Sequence, residues 1–111
     1  MVDMKVPRMS PTSREALQVL GWAIRAGRLQ RRWTIAELAE RVGVSRPTMA
    51  KIEHGDPTVA IGTFFEAATI VGVPLFVDED ARNRYGAHKR AELALLPASA
   101  RRSRQVVDDD F

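Results

Sequence analysis

The 111-residue chain has no cysteine. That absence excludes disulfides, thiol nucleophiles and cysteine-ligated zinc. Histidine is scarce as well: His54 and His88 lie far apart, with no HExxH or Cys/His spacing around them. There is no P-loop and no GxGxxG. Nothing assembles into a catalytic constellation, so the expectation is a protein that is not an enzyme and needs no cofactor and no metal. The acidic run Asp108-Asp109-Asp110 could attract a hard cation, but a flexible terminus supplies no rigid cage. No apolar run is long enough to cross a bilayer, and no signal peptide opens the sequence. A cytoplasmic, nucleoid-associated protein with no membrane partner is expected. Internal repeats are also missing.

What is present is a globular composition, with 45% hydrophobic and 28% charged residues in a length that suits one domain with a tail. The formal charge is only +3, yet the isoelectric point is near 9.9 and the arginines cluster. Arg25, Arg28, Arg31 and Arg32 precede a stretch that itself holds Arg41, Arg46 and Lys51. Clustered cations of this kind suit a phosphate backbone.

That stretch, TIAELAERVGVSRPTMAKIEHG over residues 34–55, organises the chain. Leu38, Ala39 and Val42 share one face of a first short helix, and Met49 and Ile52 share one face of a second. Gly43 allows positive φ at the turn, Ser45 is a good N-cap for the second helix, and Gly55 offers its stop. Ala39 is small where the helices should cross. Helix, glycine turn and helix at this spacing read as a helix-turn-helix, whose second helix enters the DNA major groove. The plainer alternative is a helical hairpin within a small bundle.

Around this motif, residues 1–12 read as a flexible arm, with Pro7 and Pro11 among polar residues. Ser13 is placed to cap a helix over about 14–30, whose core face carries Leu17, Leu20, Gly21, Ile24 and Gly27. The two glycines are thin points for close packing. Thr34 and Glu37 form a capping box for the next helix, and Trp33 reads as core rather than as a ligand platform. Asp56-Pro57-Thr58 is a turn. A fourth helix over about 61–71 places Ile61, Phe64, Phe65 and Ala68 on one face, and Gly72-Val73-Pro74 ends it. Leu75-Phe76-Val77 is β-prone and apolar, a short strand with no partner candidate in the chain. Its expected partner is the same strand of a second copy, in a homodimer. The helix-turn-helix domain thus spans 13–78, a C-terminal helix covers 79–96 with Gly86 weakening it, and 97–111 is a flexible tail.

From Leu20 to Val77 the sequence resembles the Cro/C1-type (XRE) helix-turn-helix family, through Arg28, Leu38-Ala39, Gly43-Val44-Ser45, Thr48, Ile52-Glu53 and Gly55. The resemblance implies an all-α, lambda-repressor-like bundle of four to five helices, and an internal ion pair between Arg28 and Glu53 in place of two independent surface charges. Members commonly carry glutamine where this chain has Ile35, and that glutamine touches a phosphate and braces the recognition helix. Ile35 has no polar atom for such a contact. A narrower similarity to HipB-type antitoxins rests on SPT before the first helix, on TFFEAATIVGVPLFV and on a tail ending in an aromatic residue. It implies a dimeric repressor that binds operator DNA and a HipA-type kinase toxin.

These readings define candidate sites. Arg46, Pro47, Thr48 and Lys51 are expected to contact bases, and Arg31, Arg32, Thr34, Arg41 and Ser45 to contact phosphates. Leu75, Phe76 and Val77 are expected to build the dimer. Asp108, Asp109, Asp110 and Phe111 form an acidic, aromatic-ended segment suited to a protein partner, with a plain solvated terminus as the alternative. The expected function is sequence-specific repression of transcription, as the antitoxin of a HipBA-like toxin–antitoxin pair that regulates its own operon. The alternatives are a stand-alone regulator of the same family and a protein-interaction module that has lost DNA binding.

Overall fold

The computed structural model describes residues 8–100. Five helices follow one another: α1 (Pro11–Gln30), α2 (Ile35–Val42), α3 (Arg46–Glu53), α4 (Ile61–Ile70) and α5 (Glu79–Leu95). Among the described residues there is no strand. No described helix is long and apolar enough to cross a membrane. The chain divides into two compact units between Val77 and Asp78.

In the first unit, α1 starts earlier than the sequence suggests. The cap is Ser10, whose Oγ accepts from the Ser13 amide at 3.2 Å, and Pro11 opens the helix. The expectation of an arm through residue 12, followed by a Ser13 cap, misread that proline. At the first helical position its fixed φ fits and its missing N–H removes nothing. The two glycines of α1 are close-approach points. A Cβ on Gly21 would lie 2.7 Å from the Ile52 carbonyl oxygen and 2.8 Å from that of Glu53, and one on Gly27 would lie 2.8 Å from Val71. These glycines let α1 sit directly on the end of α3 and on the end of α4.

The core that results contains Ile24, Leu38, Ala39, Met49, Ile52, Phe64, Ala67, Ala68 and Val71. Each large member, fully withdrawn from water, contributes about 1.5–3 kcal/mol relative to exposure. Ile35, Val42 and Trp33 pack against this cluster. On α4 the expected core face needs correction: Phe64 and Ala68 are buried, but Ile61 and Phe65 are exposed. The buried positions are 64, 67, 68 and 71, a 3–1–3 spacing that rotates residues 61 and 65 towards the edge. Ile61 instead borders an apolar groove of about 640 Å³, together with Leu17, Leu20, Val59 and Phe64. Among the described residues no charged side chain lines it.

The expected strand at Leu75, Phe76 and Val77 is a bend. Phe76 has φ of 59° and Val77 of 69°, in the left-handed region, which is unusual for any side chain and most of all for a β-branched one. A lone extended segment cannot satisfy its own backbone groups, so within one chain this run curls instead. Val77 is 80% exposed.

The second unit holds α5. Asp78 caps it, its Oδ1 accepting from the Ala81 amide at 2.6 Å, with Glu79 and Asp80 in the first turn, where carboxylates suit the helix dipole. Lys89 lies over the Tyr85 ring and pairs with Glu92 at 2.9 Å. No residue of α5 is buried.

Candidate nucleic-acid interface

The turn between α2 and α3 follows from three residues. Gly43 takes φ of 88° and its N–H donates to the Ala39 carbonyl at 2.8 Å, closing α2. Its left-handed conformation is the one a Cβ would oppose. Ser45 then caps α3, its Oγ accepting from the Thr48 amide at 3.2 Å. Ala39, 3% exposed, lets the helices cross closely. At the start of α2, Thr34 Oγ1 accepts from the Glu37 amide at 3.0 Å and Glu37 Oε1 accepts from the Thr34 amide at 2.7 Å. The expected capping box is therefore formed.

Helix α3 is sharply two-sided. Met49, Ile52 and Glu53 are buried, whereas Arg46, Pro47 and Lys51 are exposed and Thr48 is half-buried. The Thr48 hydroxyl accepts from Ser45 Oγ at 3.0 Å. Pro47 lies in the first turn, where no helix hydrogen bond is lost. His54 follows as the C-cap, with Nδ1 2.8 Å from the Ala50 carbonyl. Facing an acceptor, that nitrogen carries the proton. Beyond it, Asp56 Oδ1 accepts from the Thr58 hydroxyl at 2.6 Å and from the Thr58 amide at 2.8 Å. The hydroxyl bond first, then the amide bond, hold the Asp56 carboxyl below its usual range.

The inner side of α3 is tied to α1 by charge. Arg28 Nε donates to Glu53 Oε2 at 2.6 Å and Nη2 donates to Oε1 at 3.0 Å. The Arg28 and Glu53 side chains are 8% and 4% exposed, so this is a buried bidentate pair. Arg28 Nη1 also donates to the Trp33 carbonyl at 2.9 Å.

The candidate phosphate contacts gather at the α1–α2 junction and at the start of α3. Arg31, Arg32, Thr34, Arg41 and Ser45 are all exposed. Thr34 and Ser45 also serve as helix caps, so their hydroxyls have local roles. Arg31 is the C-cap of α1 and Arg32 takes φ of 61°. Sequence reasoning missed the part played by Trp33. It does pack against the core, as expected, but its ring also faces two of the arginines, with the Arg41 guanidinium carbon 4.0 Å and that of Arg31 5.8 Å from the ring centroid. The signal was the indole between two arginines, one two residues before it and one eight after. The segment Asp108, Asp109, Asp110 and Phe111 lies outside the described residues.

Two short helices meeting at a glycine turn, the second with a buried inner face and a cationic outer one, define a helix-turn-helix domain. A family model described as helix-turn-helix matches residues 24–77. The match supports a DNA-binding domain. No curated protein and no solved structure matches the chain.

Proposed function

We propose that this protein is a sequence-specific transcriptional repressor that acts by binding, not by catalysis, and works as a homodimer on an operator. The observation that carries this reading is the division of α3: its apolar side chains and Glu53 turn inward, while Arg46, Pro47 and Lys51 are offered to solvent. A guanidinium at position 46 can take guanine O6 and N7 together, and the Pro47 ring can meet a thymine methyl. Arg31, Arg32, Thr34, Arg41 and Ser45 then set the register on the phosphates. The dimer forms through Leu75, Phe76 and Val77, the bend opening into a strand that pairs across a two-fold axis. That places two α3 helices about one DNA turn apart, roughly 34–36 Å.

Within this reading the protein is the antitoxin of a HipBA-like pair, repressing its own operon and neutralising a kinase toxin. Its support is the sequence similarity over SPTSREAL and TFFEAATIVGVPLFV. A gel-shift titration on the DNA upstream of its own gene, with scrambled competitor, tests repression. Selective retention of the upstream fragment is expected, and equal retention of both would reduce the reading to non-specific binding. Co-purification with the product of the adjacent gene tests the antitoxin role, and an adjacent gene without a kinase would leave a stand-alone regulator.

A further inference from the structure

Trp33 stands where three structural roles meet. Its amide donates to the Arg28 carbonyl at 3.2 Å and its own carbonyl accepts from Arg28 Nη1 at 2.9 Å. Arg28 is itself locked by Glu53 on α3, so the backbone of Trp33 is referenced to the recognition helix. The half-buried indole packs on the core, which fixes the ring. Against that ring lie Arg41 at 4.0 Å and Arg31 at 5.8 Å, both within the range of cation–π attraction.

The chemistry of a stacked guanidinium decides what this arrangement can do. Its π face rests on the ring, while its N–H donors lie in its own plane and point outward. Stacking of Arg41 therefore removes rotamer freedom without consuming its donors and lowers the ordering cost of binding, while Arg31 already gives one donor, Nη1, to the Gly27 carbonyl at 3.4 Å. Among the described residues neither Arg31 nor Arg41 forms an ion pair with a carboxylate. Glu37, four residues before Arg41 and spaced to pair with it, is engaged by the Thr34 amide. Two cations gathered around one aromatic ring present a charge that an anion completes.

We propose that Trp33 is a positioning residue of the DNA interface, holding Arg41, with Arg31 beside it, as a preformed clamp for one backbone phosphate. The proposal rests on the DNA-binding reading above and adds the residue that organises the clamp. Trp33 need not touch DNA; it acts through Arg41.

The test is a double-mutant cycle on a random-sequence DNA duplex across a salt series, using Trp33→Leu, Trp33→Phe, Arg41→Ala and Trp33→Leu/Arg41→Ala. Circular dichroism melts first establish that each variant is folded at the assay temperature. Trp33→Leu, which keeps apolar bulk and loses the π face, should weaken binding about two- to tenfold. Trp33→Phe, which keeps a π face, should restore most of that loss. In the Arg41→Ala background, Trp33→Leu should add nearly nothing. Fully additive losses, or a Trp33→Phe protein as weak as Trp33→Leu, would overturn the positioning role while leaving DNA binding intact. A wild-type protein that binds neither this duplex nor its own upstream DNA would overturn both.

Discussion

Arg28 and Glu53 meet across 25 residues of chain through two hydrogen bonds of 2.6 and 3.0 Å, almost out of reach of water. The pair joins α1 to the helix that bears the candidate base contacts. Removing one partner strands the other charge in a poorly solvated site. Glu53→Ala should therefore cost about 3–5 kcal/mol in urea unfolding. The double variant Arg28→Met/Glu53→Leu should recover much of that loss, since neither charge is then buried alone. A Glu53→Ala protein as stable as wild type would show that the pair is effectively solvated.

Gly21 provides a second test of the same junction. Gly21→Ala drives a methyl into two carbonyl oxygens of α3, neither on a flexible side chain, and should destabilise by about 1–3 kcal/mol. Gly62→Ala in the first turn of α4 has open space around the new methyl and should be neutral or stabilise by at most about 1 kcal/mol. Thermal unfolding of the two variants should move in opposite directions or differ in size by several-fold.

Base reading through Arg46 can be separated from phosphate contact. Arg46→Ala should cost about 1–3 kcal/mol on the operator and relax preference at one base pair. Arg32→Ala should weaken all duplexes alike and flatten the salt slope by roughly 0.9. Binding measured against a set of single-base operator variants distinguishes the two patterns.

Phe76→Asp places a charge in the run expected to join two copies. Light scattering should then report monomers, and operator affinity should fall sharply. A variant that stays dimeric would move the interface elsewhere, with α5 the next place to look.

The Asp56 turn carries a pH signature. Its carboxyl is held low by the Thr58 hydroxyl and amide, so the charged form is favoured in the folded state. Stability from this source is fully present above the unfolded carboxylate range, near 3.8, and is lost as pH falls through the lower folded value. Asp56→Asn, which does not titrate, should show a flatter acid limb in stability measured by chemical denaturation. Parallel limbs for the two proteins would remove Asp56 from the acid response.

The helices, the Gly43 turn and the caps at Thr34 and Ser45 were legible because each depends on neighbours within four residues. Pro11 misled because the same ring that breaks a helix interior suits its first turn. Ile61 and Phe65 were misplaced because spacing alone leaves the centre of a broad apolar face undefined, and packing against α1 and α2 chose Phe64, Ala67 and Ala68. The strand expected over Leu75, Phe76 and Val77 depended on pairing that one chain does not provide. The stacking on Trp33 was hidden for a related reason, since Arg41 reaches the ring only once α2 has formed and turned it back.

Contact between Gly21 and the final carbonyls of α3 also limits how the protein can adapt to what it binds. A helix end seated on bare backbone, with a buried ion pair beside it, has no soft layer of side chains on which to slide or tilt. On the proposed function, recognition of an imperfect operator would then be accommodated by rotamers at the outer tips of Arg46 and Lys51, or by bending and twisting of the duplex itself. The stiffness of the DNA, more than that of the protein, would set the tolerance for altered sites.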